Sequence, residues 1–484
     1  MSSYPYRYER TAFVADLQER FEALEPGAET GMEVRVAGRL MTIRKQGKVA
    51  FADLLDTTGR MQLFAQQAVL GDSAMEAFAS LGVGDIVGAS GEVMRTRRGE
   101  LSVRVSEVTL LAECLRSMPE KWHGITDVES RYRQRYLDLL LNEDPRRALD
   151  ARARANGAIR GFLEARGFVE VETPILHPIA GGAVARPFVT HHNALDIDLY
   201  LRVAPELYLK RLLIAGFDRI YELNRSFRNE GISPRHNPEY TMLEAYEAYV
   251  DYEDTMSLVE DLVRAIAQAV NGSLEITINQ GGTPTGSAVG EERIVDLSQR
   301  FERITLFEAI ANATGRDLLP AWSDEDRGAL EANAEDLGVG VDPKWGPGKL
   351  LLEIFEASTE KSLIGPVFVA GFPKEVSPLA KDHRSIPGFT EHADLIIGGI
   401  EMAPCYSELN DPEEQRRRFE QQAAARAAGD EEASLSDEDF LEALAYGMPP
   451  AGGFGLGIDR LLAVLLGLPS LRDVILFPTM KPEQ

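Results

Sequence analysis

Residues 218–249, DRIYELNRSFRNEGISPRHNPEYTMLEAYEAY, decide the fold of most of this 484-residue chain. Two alternating apolar and polar segments flank a polar loop that contains Gly231 and Pro234, which predicts an antiparallel pair of strands. Because strand side chains alternate between faces, each strand places its charged and aromatic residues on one face. These residues are Arg228 and Glu230 on the first strand, and Tyr240, Glu244 and Tyr246 on the second.

That combination of charges and rings has two interpretations. Packing alone does not favour charges beside aromatic side chains, because burial of an unpaired charge is costly. The first interpretation is therefore a ligand site, and the second is a solvated face of surface ion pairs. The hairpin alone leaves both open.

Composition is typical of an ordinary globular protein of two domains. Hydrophobic residues make up 44% and charged residues 26%, and no apolar run reaches the length of a membrane span. The N-terminal stretch MSSYPYRYERTAF lacks the features of a secretion signal, and Cys114 and Cys405 have no metal-binding spacing. We therefore expect a cytoplasmic protein with no membrane association.

The first part of the chain predicts a small barrel over residues 31–112, after an N-terminal segment at 1–30. Strands are expected at 33–40, 49–55, 60–66, 85–95 and 101–111, with a helix near 68–81 after the third strand. This order matches an OB-fold barrel, which often binds single-stranded nucleic acid. The net charge of the chain is −26, whereas residues 33–111 carry about +1, which permits such binding. A barrel without a ligand remains the alternative.

A linker at 113–127 leads to a second domain at 128–484. Asp144 and Pro145 are expected to be the N-cap and first residue of a helix, and Gly167 is expected to end it. Further on, GGFGLGIDR at 452–460 runs from a glycine-rich strand into an apolar helix, whose first turn favours anions. Alone, this motif is weak evidence for a phosphate site.

Several stretches together resemble class II lysyl-tRNA synthetases. They are RYRQRYLDL (131–139), FVEVETP (168–174), GGAVARPF (181–188), FRNEG (227–231), RHNPEYTMLEAY (235–246), YSELNDP (406–412) and GLGIDR (455–460). The likeness extends from about residue 33 to the end, in the order the family uses. It implies an α+β protein with an N-terminal OB-fold anticodon-binding domain and a class II catalytic domain, whose six-stranded antiparallel sheet is flanked by helices, and it implies a homodimer.

The resemblance implies a ligase that activates L-lysine with ATP and transfers it to tRNA(Lys). Because both reactants of the first step are anionic, such a site must supply positive charge and alignment. Arg228 would bridge the lysine carboxylate and the α-phosphate, and Arg460 would hold the γ-phosphate. The implied ATP-binding residues are Arg228, Glu230, His236, Asn237, Tyr240, Glu401 and Arg460. The implied Mg²⁺ ligands, for one ion or more, are Asp394 and Glu401.

Selection of lysine requires acids for its ε-ammonium group, since an unpaired buried ammonium is costly. By resemblance, Glu206 and Glu408 supply them. The full implied lysine pocket is Gly182, Glu206, Arg228, Glu244, Tyr246, Tyr406 and Glu408. In the barrel, the implied anticodon-reading residues are Phe51, Gln62 and Glu100. Without the resemblance, Phe51 would be assigned to the barrel core.

The chain departs from the family at two positions beside the pocket. Ile400 stands where many members have Arg, and Pro404 stands where many have an Asn that contacts the substrate carboxylate. We interpret this as a variant of an ordinary synthetase. The alternatives are a ligase that lysylates a protein, a lysyl-lipid synthase, an inactive RNA-binding protein, and an aspartyl or asparaginyl synthetase. The pockets of the last two must bind an acid or an amide, and Glu206 with Glu408 would repel aspartate.

Overall fold

The computed structural model describes residues 4–119, 124–183, 185–280, 291–323, 325–427 and 435–483. The chain forms two compact units, Met1–Gly124 and Ile125–Gln484. Over these described ranges, no helix is both long and apolar enough to span a membrane.

The first unit is a closed five-stranded barrel, which confirms the predicted OB fold. Its strands follow one another around the barrel in the order β1-β2-β3-β5-β4. The elements are α1 (Val14–Arg20), β1 (Glu29–Gln46), β2 (Val49–Leu55), β3 (Arg60–Gln66), α2 (Gln67–Leu70), α3 (Asp72–Ser80), β4 (Ile86–Arg95) and β5 (Leu101–Ala112). The helix expected after the third strand is present as α2 and α3.

Strict alternation along the strands builds the barrel core. In β2, Ala50, Ala52 and Leu54 are fully buried, while the residues between them are partly exposed. Helix α1 adds Val14 and Leu17 to the same core. The N-terminal segment is therefore packed with the barrel.

The second unit contains the remaining elements. Its helices are α4 (Val128–Arg133), α5 (Arg135–Leu141), α6 (Glu143–Glu164), α7 (Glu206–Ile214), α8 (Tyr252–Asn271), α9 (Leu306–Thr314), α10 (Leu319–Ser323), α11 (Arg327–Asp336), α12 (Pro347–Ser358), α13 (Pro412–Ala427), α14 (Glu438–Ala445), α15 (Ile458–Leu465) and α16 (Leu471–Val474). Its strands are β6 (Val169–Glu170), β7 (Leu176–His177), β8 (Val189–His192), β9 (Ile197–Leu201), β10 (Arg219–Phe227), β11 (Glu239–Ala248), β12 (Glu275–Gln280), β13 (Glu291–Asp296), β14 (Glu302–Thr305), β15 (Val367–Pro373), β16 (Phe389–Ile396), β17 (Glu401–Ser407) and β18 (Ala451–Gly457). Short 3-10 helices cover Glu360–Ser362 and Lys374–Val376.

An eight-stranded sheet, in the order β14-β15-β16-β17-β18-β11-β10-β6, forms the centre of this unit. The six strands from β15 to β10 run antiparallel to their neighbours, as expected. The two edge strands, β14 and β6, pair parallel and extend the six-stranded sheet to eight. Apolar residues of α6, α8 and α15 cover one face of this sheet in a continuous core.

The predicted hairpin is β10 paired with β11, with Glu222 opposite Glu244 and Ser226 opposite Tyr240. The expectation that Arg228 and Glu230 are strand residues was wrong, since β10 ends at Phe227. Arg228 nevertheless donates its backbone N–H to the Pro238 carbonyl at 2.9 Å, so its side chain starts at the mouth of the hairpin.

The predicted start of the long helix was also wrong. Helix α6 begins at Glu143 with Asn142 as N-cap, and Pro145 lies within its first turn. The Asn142 side-chain amide donates to Asp138 Oδ1 at 2.7 Å instead of capping the helix. The glycine at the other end fits the prediction, because Gly167 has φ +82° just beyond the helix.

Candidate active site

A cleft of about 710 Å³, including its open mouth, lies where the hairpin β10–β11 meets β17 and the start of α15. All seven side chains predicted to bind ATP line it: Arg228, Glu230, His236, Asn237, Tyr240, Glu401 and Arg460. The sequence analysis did not assign Arg235, Met242, Met402 and Asp459, which also line the cleft. The structure thus brings together predicted ATP-binding residues that are up to 232 positions apart in sequence.

Arg228 and Tyr240 form the inner wall of this cleft. The guanidinium carbon of Arg228 lies 5.5 Å from the centre of the Tyr240 ring. Arg228 Nε and Tyr240 Oη are shielded from solvent and have no hydrogen-bond partner within the described residues. Burial raises the pKa of Tyr240, so its hydroxyl is protonated and able to donate at neutral pH. A buried donor without a partner is costly, which favours a ligand that accepts from both groups.

Arg460 lies in the first turn of α15, where the helix dipole adds positive potential. Its Nη1 donates to the Glu401 carbonyl at 3.1 Å and lies 3.5 Å from Glu401 Oε2. The preceding residue, Asp459, accepts the Thr241 backbone N–H at 2.8 Å and is paired with Arg152. This buried pair holds the start of α15 against β11 and so fixes the position of Arg460.

The loop between β10 and β11 contributes His236, Asn237 and Glu230. His236 Nδ1 is 2.8 Å from Ser233 Oγ, and burial together with the charge of Arg460 lowers the pKa of His236. A neutral imidazole is therefore present at neutral pH, and its Nε2 is left for a ligand. Asn237 donates to the Glu239 carbonyl at 2.5 Å, while its Oδ1 is buried without a partner in the described part of the chain. Glu230 is exposed at the mouth.

The two predicted metal ligands lie on the adjacent strands β16 and β17. Asp394 Oδ1 is 2.8 Å from His392 Nε2, which leaves its second oxygen free of that bond. Burial and the charges of Glu401 and Asp394 raise the pKa of Glu360, which shows that these carboxylates share one region of negative potential. Among the residues whose placement is described, no group of three or more His, Cys, Asp or Glu side chains is arranged to hold a metal ion. Two carboxylates suit Mg²⁺, which takes most of its other oxygens from phosphates and water.

The residues predicted to bind lysine line the adjacent sheet region. Glu244 and Tyr246 lie on β11, Tyr406 lies on β17, and Glu408 follows β17 with its backbone N–H donating to Ala451. Gly182 has φ +92°, and a Cβ there would lie 3.3 Å from the Ala204 carbonyl, so glycine is needed for this loop to pack beside Glu206. Glu206 is the first residue of α7.

Glu244 is buried and ready to receive a cation. Its Oε2 accepts from Tyr246 Oη at 3.5 Å, but Oε1 has no partner in the described structure. Burial, together with the charge of Glu206, raises the pKa of Glu244 well above its usual range. Burial therefore opposes ionisation of this carboxyl, and an approaching ammonium group would favour it.

Glu206 and Glu408 meet at a lysine of the protein itself, which the sequence analysis missed. Lys210 Nζ lies 2.6 Å from Glu206 Oε1 and 2.5 Å from Glu408 Oε2. Burial would lower the pKa of Lys210, but the charges of Glu206 and Glu408 outweigh it and raise this pKa. The spacing in ELYLK could have indicated the pair Glu206 and Lys210, because residues four apart face each other on a helix.

The two departures from the family pattern lie on or just before β17. Pro404 is paired with Asp394 of β16, where its missing N–H removes one donor from the ladder. Ile400 packs against the main apolar core of the unit. Neither residue introduces a charge into the pocket.

In the barrel unit, the predicted anticodon residues lie outside the core. The Phe51 ring stacks on Phe64 with centroids 5.0 Å apart, and both are partly exposed. Gln62 accepts from Ser102 Oγ at 3.0 Å, and Glu100 is exposed in the turn just before β5. The structure thus places Phe51 on the outer face, although barrel phenylalanines are more often core residues. Phe64 was missed, and the alternation of β3 would have indicated its outward position.

Comparison with known proteins supports both units. The family model described as tRNA synthetases class II (D, K and N) matches residues 127–481, and the OB-fold nucleic acid binding domain matches residues 34–111. A protein named lysine-tRNA ligase from Moorella thermoacetica is 52% identical over 99% of this chain and 94% of its own length. Proteins of the same name from Carboxydothermus hydrogenoformans and Xanthomonas oryzae pv. oryzae are each 49% identical, over 99% of this chain and 94% and 93% of their own lengths.

The antiparallel sheet, its arginine-lined cleft and the family match define a class II tRNA synthetase with an OB-fold domain. Within that class, the near full-length identity places the chain in the lysine-tRNA ligase family.

Proposed function

We propose that this protein activates L-lysine with ATP and transfers it to the 3′ end of tRNA(Lys). The observation that carries the proposal is the pair of carboxylates Glu206 and Glu408 in the pocket next to the arginine-lined cleft. The class II family model covers enzymes for aspartate, asparagine and lysine. Two acids suit the ammonium of lysine and would repel the carboxylate of aspartate.

In the first step, a lysine carboxylate oxygen bonds to the α-phosphorus of ATP as the bond to pyrophosphate breaks. Arg228, with Nε shielded and unpaired, would bind the carboxylate and the α-phosphate, since its planar fork can serve two anions. Tyr240 would contact adenine from the adjacent wall, and Glu230 and Asn237 would reach the nucleotide from the loop. Arg460 and neutral His236 would bind the outer phosphates.

The lysine itself would be held at both of its amino groups. Glu244, whose Oε1 is buried and unpartnered in the described structure, would take the α-amino group beside Gly182. Tyr246 and Tyr406 would enclose the aliphatic stem, and Glu206 and Glu408 would pair with the ε-ammonium. Asp394 and Glu401 would hold Mg²⁺, which supplies positive charge to the phosphates when bound.

The barrel would recognise the anticodon, with a base stacked on Phe51 and base edges bonded to Gln62 and Glu100. We assign this role to residues 31–112, after the N-terminal segment at 1–30, and assign a linker to 113–127 and catalysis to 128–484. We further propose a homodimer that works in the cytoplasm, as the family resemblance implies.

Lysine-dependent exchange of pyrophosphate into ATP tests the activation step. We expect lysine to stimulate exchange at least about 100-fold more than aspartate, asparagine or arginine. Neutral or negative side chains would leave the buried acids unpaired, and the planar guanidinium of arginine differs in shape from an ammonium group. Equal stimulation by any of the three would refute the lysine assignment. Charging of tRNA by the same sample tests the transfer step.

A further inference from the structure

Lys210 is a protein lysine that occupies the same two acids as the proposed substrate. Its side chain is 0% exposed, and its Nζ contacts one oxygen of Glu206 and one of Glu408. Glu206 and Lys210 lie one turn apart on α7, so the helix carries the pair as a unit. The Leu379 carbonyl, 3.4 Å from Nζ, is the third group near this ammonium.

The net charge of Glu206, Glu408 and Lys210 favours the binding of one further cation. Two neighbouring buried carboxylates without a cation cannot both stay ionised at low cost. With Lys210 between them and both acids ionised, Glu206, Glu408 and the lysine together carry a net charge of −1. Burial raises the pKa of Glu408 to about 7, and the charge of Lys210 opposes that rise. A single substrate ammonium would bring the net charge to zero. Burial raises the pKa of Glu244, the other acid of the predicted pocket, and so opposes its ionisation.

The bonds to Lys210 use only one oxygen of each acid. Lys210 bonds Glu206 Oε1 and Glu408 Oε2, so one oxygen of each acid lies outside these bonds. Glu408 Oε1 lies next to Gly453, only 2.2 Å from where a Cβ would stand, and the Tyr246 ring borders the same point. The second oxygen of Glu408 therefore faces the glycine strand and Tyr246, on the pocket side.

We propose that Lys210 is a positioning and specificity-determining residue, an internal counter-ion that keeps Glu206 and Glu408 ionised side by side and sets the pocket charge to −1. The pocket then binds one ammonium group and rejects neutral side chains. This inference rests on the proposed lysine-activating function. Lys210 itself does not contact the reacting atoms.

A series of variants that changes the pocket charge tests this role. Glu206→Gln leaves the pocket neutral, so we expect the KM for lysine in pyrophosphate exchange to rise on the order of 100-fold. Adding Lys210→Met to that variant restores the charge to −1, so the double variant should bind lysine at least about tenfold more tightly than Glu206→Gln alone. If Lys210 had only a structural role, the double variant would bind lysine more weakly than Glu206→Gln alone. The dissociation constant of lysine, measured by calorimetry, should follow the same order.

Lys374→Met is the matched control, because the Lys374 ammonium pairs with Asp382 and Glu414 and not with Glu206 or Glu408. It should leave the KM for lysine unchanged. The proposal is overturned if the double variant binds lysine as weakly as Glu206→Gln does. It is also overturned if circular dichroism shows the double variant to be unfolded while Glu206→Gln is folded. Absence of lysine-dependent exchange by the unmodified protein would instead refute the proposed function.

Discussion

Four shielded polar atoms without partners in the described structure lie at the substrate end of the sheet: Arg228 Nε, Asn237 Oδ1, Tyr240 Oη and Glu244 Oε1. Each is costly in the empty protein, since buried polar groups are normally hydrogen-bonded. Their cost is offset only when a ligand supplies an anion to the arginine and a cation to the glutamate. An amino acid carries both charges on neighbouring atoms, which agrees with a site for its α-carboxylate and α-amino groups.

Arg228→Lys tests whether the planar guanidinium is needed. A lysine would keep the charge but lose the two-sided fork, so we expect kcat for pyrophosphate exchange to fall on the order of 100-fold or more. Arg225→Lys should leave kcat nearly unchanged, because Arg225 is an exposed arginine of β10 that pairs with Glu239 at 3.8 Å. Equal rates for Arg228→Lys and the unmodified protein would rule out the bridging role.

Strand β18 brings β11 and β17 together at the lysine pocket. Its glycines let Tyr246 of β11 and Tyr406 of β17 pair opposite the same residue, Gly453. A Cβ at Gly453 would lie 2.2 Å from Glu408 Oε1 and 2.6 Å from the Tyr246 ring. Gly453 does not have a positive φ, so its role is space and not backbone conformation.

Gly453→Ala should therefore disrupt lysine binding. We expect the KM for lysine to rise about tenfold or more, because the added methyl group displaces Glu408 or Tyr246. Gly455→Ala on the same strand is the control, since its Cβ would meet the flexible Met242 side chain at 3.3 Å. Similar KM values for the two variants would contradict the steric argument.

The sequence predicted the strands and helices that produce a local pattern of apolar and polar residues. Alternation located the barrel strands and the hairpin, because a pleated strand exposes every second residue. The edge strand β14 was not predicted, since its pairing depends on a partner about 65 residues away. Asn142 was missed as the N-cap of α6 because its role depends on the preceding helix α5.

Charge and function are divided between the two units of the molecule. The barrel strands carry a slightly positive charge within a chain of −26, and their outer face presents the stacked pair Phe51 and Phe64. The sequence motifs predicted which site residues belong to each unit. They did not reveal Lys210 or Phe64, whose roles depend on side-chain contacts that the family motifs do not describe.

If each unit contributes a separate part of the reaction, damage to the barrel should affect only the tRNA step. Phe51→Ala removes the outer ring of the stacked pair, so we expect the KM for tRNA(Lys) in charging to rise about 5- to 100-fold. Lysine-dependent exchange should stay within about twofold of the unmodified protein, because it needs no tRNA contact. Phe13→Ala, which truncates an exposed phenylalanine at the N-cap of α1 in the same unit, is the control and should change neither rate. Normal charging by Phe51→Ala would show that this face does not bind the anticodon. A parallel loss of exchange would show that the substitution had damaged the catalytic unit as well, and the division of labour between the units would then be wrong.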